Sequence, residues 1–435
     1  MQNIPVSSYR CRDIRIVMII LHRKGREKMK RVQNKELAIV LSMVAIFFMC
    51  TNMYPSFVSI LITEWGGDYN SVGIIMTLAS LAPLLAAIPA GFAIRRWGLR
   101  LPLFSASLVS AASCFLLFMF PSIVQLLLML SVMKVAEIFF AVGLQTHIAN
   151  ISSKHSNELD KNYSWFMVYA SVGALIGPIL GGLLVDYGSY SMIWLILTVT
   201  LAGLSFFSFY LTDLVNGRKT TQTRAKFSFN ELRRILNWRI TIGMLVGSGV
   251  LFAHGARFLF LPVYLQTVGY TLTSIGIIMA ARSLAAIFSR SILEPVIKIA
   301  RGRSGALVSC SVVLAASIAL IPVCTSFVLQ LVNSIVIGLA MGIAIPLSNS
   351  VVADSADPEE RSITIGISQT VNRVGQLLSP MVFGMFSQNM GVNASFYFGG
   401  ILLLLISIIV IYLLVFGHHR ETAAASKDKG TPKAM

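Results

Sequence analysis

Twelve mostly apolar stretches, spread along the whole chain, constrain this protein more than any other feature of its sequence. An α-helix rises about 1.5 Å per residue and a bilayer's hydrocarbon core is roughly 30 Å thick, so a crossing takes about 20 apolar residues. Such stretches fall near residues 37–62, 72–94, 101–120, 123–148, 163–185, 193–211, 240–267, 275–297, 306–321, 327–353, 363–386 and 394–416. A closed β-barrel would also satisfy its backbone in lipid, but its strands alternate apolar and polar residues. These stretches are apolar all round and predict helices. Composition agrees: 56% of the 435 residues are hydrophobic and 12% charged, the latter about half the share of a soluble chain. Cys11, Cys50, Cys114, Cys310 and Cys324 are scattered, with neither a CxxC pair nor a disulfide framework. The chain reads as an all-α membrane protein with 12 transmembrane helices.

Thirty-five Lys and Arg against 18 Asp and Glu leave a net charge of +17. In a soluble chain that excess would point to nucleic acid. Its placement gives it another meaning. Thirty of the basic residues lie in the tails and in the connections after the second, fourth, sixth, eighth and tenth helices, and none in the six connections on the other side. This is the positive-inside asymmetry, which predicts a multi-pass protein of the cell (plasma) membrane with both termini cytoplasmic and no nucleic-acid partner. The other five, Lys134, Arg257, Arg282, Arg290 and Arg373, fall inside predicted helices. Trp65, Trp97, Trp165, Trp194 and Trp238 fall at predicted helix ends, as an interfacial belt requires.

The predicted organisation is a cytoplasmic tail (1–36), a six-helix bundle (37–212), a cytoplasmic linker (213–239), a second six-helix bundle (240–416) and a cytoplasmic tail (417–435). The apolar run 16–21 is too short for a signal peptide, and Met29 is an alternative start to Met1. In the linker, Ser228 to Glu231 reads as a capping box opening a short amphipathic helix on the membrane surface, or as a solvated linker. The two halves repeat one another. Ser71-Val-Gly73-Ile-Ile-Met76 recurs as Ser274-Ile-Gly276-Ile-Ile-Met279, an offset of 203; Pro55 has a counterpart in Pro262. Glu158, Gly173, Pro178 and Gly182 recur as Glu360, Gly375, Pro380 and Gly384, an offset of 202. Parallel six-helix repeats place a binding site between them near the bilayer midplane.

Three motifs then resemble the major facilitator superfamily, over residues 37–416. The connection after the second helix reads Gly91-Phe-Ala-Ile-Arg95-Arg96-Trp-Gly98-Leu-Arg100. The family has an aspartate where Arg95 stands, which the resemblance associates with latching the cytoplasmic gate, so this chain is expected to latch differently. The fifth helix carries Gly173-Ala-Leu-Ile-Gly177-Pro178-Ile-Leu-Gly181-Gly182, a GxxxGPxxGG pattern that the resemblance associates with proton-exchanging exporters. Physically it is either a bendable point or a tight packing seam. The fourth helix has Lys134 and Glu137 where the family places an arginine and often a glutamine.

Glu137 is the one acid in the central part of any predicted helix, and the spacing of three puts it on one face with Lys134. An ionisable group there needs a partner or a watery cavity. The pair is therefore either a structural ion pair or the proton-coupling, substrate-contacting centre. His254, near the middle of the seventh helix, is the next proton candidate. The expected substrate cavity is lined by Asn52, Tyr54, Arg257, Arg282, Asn372 and Arg373. Four interior cations against one acid predict an anionic or zwitterionic substrate. Arg290 with Glu294 reads as a structural or gate pair, and Asp354, Asp357, Glu359 and Glu360 as a solvated run.

No GxxxxGK[ST] loop, HExxH, GxSxG or Cys/His metal set occurs, so no catalytic residue, metal or cofactor is expected. The sequence predicts a secondary active transporter exporting a drug-like compound or metabolite against protons by alternating access, able to act as a monomer. An importer of the same fold is the alternative, and a membrane sensor or enzyme that has lost transport is the second.

Overall fold

The computed structural model describes residues 36–152, 156–211, 237–356 and 361–428. They form helices and connections, with no strand among the described residues. In chain order the helices are α1 (Glu36–Glu64), α2 (Tyr69–Trp97), α3 (Arg100–Met119), α4 (Ile123–Ser152), α5 (Ser156–Tyr187) and α6 (Tyr190–Phe207). The second set is α7 (Trp238–Thr267), α8 (Leu272–Ile299), α9 (Arg303–Ala319), α10 (Phe327–Ser355), α11 (Arg361–Met390) and α12 (Val392–Asp428). Twelve helices thus stand where the sequence places them.

Ten of them are individually long and apolar enough to cross a bilayer. The other two depart for separate reasons. Helix α9 is only 17 residues long and continues from α8 through a 104° bend. Helix α11 is long but polar, with Ser368, Gln369, Asn372, Arg373 and Gln376 in its middle. Helix α12 runs to Asp428 instead of ending near Phe416, because Arg420 to Lys427 contains good helix formers and no Gly or Pro. The possible linker helix and the N-terminal tail lie outside the described residues.

Local chemistry explains the helix ends. Pro55, which has no N–H and collides with the preceding turn, breaks α1 at Tyr54. Asp68 caps α2, accepting from the Ser71 hydroxyl at 2.5 Å and the Ser71 N–H at 2.8 Å. These two bonds, the hydroxyl first, hold its carboxyl below the usual carboxylate range. Thr271 caps α8 in the same way, accepting from Ser274 N–H at 3.2 Å. The turns before these caps also match. Gly66 (φ 83°) and Gly269 (φ 99°) take the left-handed conformation that glycine tolerates, and each N–H bonds the carbonyl three residues back. The sequence repeat is therefore a structural repeat down to its hydrogen bonds.

The first six helices pack around a core in which the Phe47 and Phe140 rings stack 3.9 Å apart. Trp194 belongs to this core, 3% exposed and 6.2 Å from the Tyr54 ring, rather than to an interfacial belt. Between the halves, α5 packs on α8 and α2 on α11. A Cβ on Gly73 would strike the Pro380 carbonyl oxygen, and one on Gly276 would strike the Pro178 carbonyl oxygen. One Cβ on Gly384 would lie 2.8 Å from the Tyr69 oxygen, and one on Gly182 would lie 2.8 Å from Thr273 Cα. Each half thus presses the repeated glycine of its second helix against the proline of the other half's fifth, while the glycine after that proline meets the start of the second helix.

Polar bonds seal the same end. Asp186 accepts from the N–H groups of Leu272 (3.0 Å) and Thr273 (2.7 Å), at the start of α8. Gln388, its counterpart in the repeat, accepts from Tyr69 N–H (3.1 Å) at the start of α2. Glu64 accepts from Gln266 at 3.1 Å. This closed end carries the connections in which the sequence places no Lys or Arg. Gly276→Ala should cost about 1–3 kcal/mol, because the added methyl meets backbone that cannot yield. Thermal unfolding of the purified protein should show a lowered midpoint, whereas Gly203→Ala, with open space at that Cβ inside α6, should not lower it.

Candidate functional site

Below the closed end a cavity of about 160 Å³ lies between the halves, lined by α2, α4 and α11. From α2 come Ser80, Pro83 and Leu84; from α4, Lys134, Glu137, Ile138 and Ala141; from α11, Arg373, Gln376 and Leu377. The Lys134 ammonium lies 3.6 Å from the Glu137 carboxylate, and the two side chains are 37% and 40% exposed. Both sit one turn apart on α4, so the helix itself presents them together. Arg373 is exposed on the opposite wall. The cavity therefore joins two cations and one anion from both halves, with Ser80 and Gln376 as neutral hydrogen-bonding partners.

The other expected cavity residues go elsewhere. Asn52 turns back on its own helix, donating to the Phe48 carbonyl at 2.8 Å. Tyr54 is 2% exposed in the first half's core, because the break at Pro55 turns it inward against Trp194. Asn372, 3% exposed, lies against α7: a Cβ on Gly247 would come 2.8 Å from its Oδ1. Neighbours on a helix are about 100° apart, which is how Asn372 is buried while Arg373 faces the cavity.

Arg257, Arg282 and His254 form a second group, inside the second half. Arg257 is 0% exposed and donates from Nη2 to the Ser334 hydroxyl on α10 at 3.1 Å. Arg282 donates to the Ser283 hydroxyl at 3.3 Å. His254 lies one turn before Arg257 on α7, and its ring centre is 5.9 Å from that of Phe258. His254 thus stands with the arginines and not with Lys134 and Glu137.

The glycines of the α5 motif sit in close packing contacts. Gly173, Gly177 and Gly181 let α5 lie against the α1 backbone: Cβ atoms there would strike the Ala45 oxygen, come 2.6 Å from the Met49 oxygen and strike the Met53 oxygen. Gly182 and Pro178 face α8 instead, so one motif serves both the first half's core and the closed end. After α2, Gly98 turns the chain at φ 78°, Arg96 sits 5.8 Å from the Trp97 ring centre, and Arg100 donates to the Leu211 carbonyl. Gly91 and Arg95 lie on α2, but their side-chain surroundings, like those of Arg290 and residues 357–360, fall outside the described residues. Asp354 pairs with Arg303, tying α10 to α9. No group of His, Cys, Asp or Glu among the described residues could hold a metal.

Sequence reasoning missed Asp186 and Gln388. The signal was present, because the offset of 202 that links Gly182 to Gly384 also links these two. It missed Ser334 as well, which nothing but its neighbour distinguishes.

Comparisons with known proteins agree with this architecture. The sequence model described as Major Facilitator Superfamily matches residues 39–332 and 300–434. A relative from Staphylococcus haemolyticus (strain JCSC1435), the proton-coupled antiporter flippase LtaA, is 23% identical over 315 residues, covering 71% of this chain and 76% of its own. A mutant of the nucleoside transporter NupG is similar in structure, with a TM-score of 0.73 at 15% identity, covering 86% of this chain and 99% of its own. A bacterial homologue of the human lysosomal transporter Spinster, inward-facing and unoccupied, gives 0.68 at 12% identity, covering 88% and 96%.

The two faces of α11 can be told apart by chemistry. In a cysteine-free background, Gln376→Cys should react with a membrane-impermeant maleimide at least about tenfold faster than Asn372→Cys, because only an accessible thiolate is a nucleophile. Equal rates would mean that the cavity is not water-filled.

Proposed function

This chain belongs to the major facilitator superfamily, and on that premise we propose that it exports a small molecule in exchange for protons, with Glu137 as the proton-binding group. It is a membrane transporter and not an enzyme. The observation that carries the reading is the placement of Lys134, Glu137 and Arg373 around one water-accessible cavity between the halves. The GxxxGPxxGG pattern and a relative named as a proton-coupled antiporter support exchange over uptake.

Exchange requires that proton and substrate exclude one another. An ionised Glu137 accepts hydrogen bonds from hydroxyl or ammonium groups of a substrate, and a protonated one accepts them far less well. Lys134 holds the carboxylate in place while the substrate enters. After release, a proton on Glu137 loosens its hold on Lys134 and lets the empty carrier return. Each half moves as a unit, and the glycine contacts between α2 and α11 and between α5 and α8 close one end and part when access switches to it. The absence of Lys and Arg from the closed end's connections supports an outside orientation for that end and a plasma-membrane location with both termini inside. His254 offers a second proton route, and Asn52, Tyr54 and Asn372 act as packing residues. The described helices fit a carrier of two bundles that acts as a monomer.

The test uses inside-out vesicles, a substrate found by screening a deletion strain against toxic compounds, and an imposed pH gradient. Glu137→Gln should keep substrate exchange at equilibrium and lose gradient-driven accumulation by at least about tenfold, since an ionisable group at mid-membrane is retained for its charge. Glu137→Asp should keep part of it. Uphill transport at the wild-type rate by Glu137→Gln would refute the assignment, and proton entry alongside substrate would make the protein a symporter.

A further inference from the structure

The second half holds two cations that the exchange scheme leaves unused. Arg257 is wholly buried, yet only its Nη2 has a protein partner; Nε and Nη1 have none. The Nε of Arg282 and the Nδ1 of His254 are likewise buried without a partner. A guanidinium stays charged in a protein, and burying one unpaired is strongly unfavourable. No ion pair among the described residues answers these charges. The sequence supplies none nearby either: along α8 the next acid after Arg282 is Glu294, twelve residues and about 18 Å away. Glu137, in the other half, already has Lys134.

Helix α10 brings the arginines to one level. Its Ser334 bonds Arg257, and one turn on, a Cβ on Gly338 would lie 3.0 Å from the Arg282 Cα. Small residues there let α8 approach α10, so that Arg257 from α7 and Arg282 from α8 meet α10 within one turn of each other. Arg282 and His254 remain partly accessible, and a ligand would enter on that side. Planar forks of N–H donors are matched to the oxygens of carboxylate and phosphate.

We infer that Arg257, Arg282 and Ser334, with His254 beside them, form an oxyanion-binding site for a carboxylate or phosphate group of the transported molecule. The site is distinct from the Lys134–Glu137 cavity and rests on the reading of the chain as a transporter. The substrate then carries an oxyanion held by the second half and hydrogen-bond donors facing Glu137 in the first. The oxyanion has two possible sources, a soluble molecule or a lipid headgroup.

Binding without any pH gradient separates this inference from the coupling scheme. Full-length protein in phosphatidylcholine nanodiscs is titrated with inorganic phosphate or succinate, with choline chloride at matched ionic strength as control, and its unfolding midpoint is followed. Parallel discs contain phosphatidylglycerol. A saturable rise with phosphate or succinate, shifted at least tenfold in concentration by Arg282→Gln and by Arg257→Gln, supports a soluble oxyanion. A rise produced by phosphatidylglycerol alone, and lost in the same variants, supports a headgroup. Arg257→Gln should also be at least as stable as the wild type without anion, because it removes an unanswered buried charge. If that variant does not fold, Arg282→Gln decides. No rise in the wild type, a rise matched by choline chloride, or an unchanged response in Arg282→Gln would overturn the site.

Discussion

Backbone packed directly on backbone, at two glycine contacts related by the internal repeat, is the constraint on which this structure depends. Gly73 lies on Pro380 and Gly384, and Gly276 lies on Pro178. Lipid gives helices no hydrophobic reason to associate, so close van der Waals approach and hydrogen bonds must supply it. Small residues permit that approach, and the helix starts beside them are capped from the opposite half by Asp186 and Gln388. One cap is charged and the other neutral. The two seams therefore share a plan and differ in the bonds at their ends.

This closure leaves the rest of the inter-half surface free to hold water and charge. The cavity draws its ionisable groups from both halves, whereas the arginine group belongs to the second half alone. A substrate bridging them would be gripped by one half through its oxyanion and by the other through its donors. Rocking the halves changes the distance between these two grips, which is how binding energy can be turned into a change of access.

Much of this was legible in the sequence. Helix positions followed from length and apolarity, and the repeat from its offsets, because lipid enforces the first and shared geometry preserves the second. Short α9 and polar α11 strain the length-and-apolarity rule, yet both were read as apolar stretches and both stand as helices. What the sequence could not show was direction. Asn372 and Arg373 are adjacent and both polar, and the register of α11 sends one into the protein and the other into the cavity. Tyr54 was read as a cavity residue from its place before Pro55 and Trp194 as an interface residue from its place at a helix end, but the two meet in the core. Lys134 and Glu137, by contrast, were correctly paired, since helical spacing alone decides that.

The central claim, that the two halves must part at the glycine seams for transport to occur, is tested by locking one seam. Cysteines replacing Tyr69 and Gln388 in a cysteine-free background would be joined by a short, reducible bifunctional reagent, and substrate flux measured before and after reduction. The account predicts that cross-linking forms readily at rest, stops flux, and is reversed by reduction. Wild-type flux through a fully cross-linked protein would contradict it.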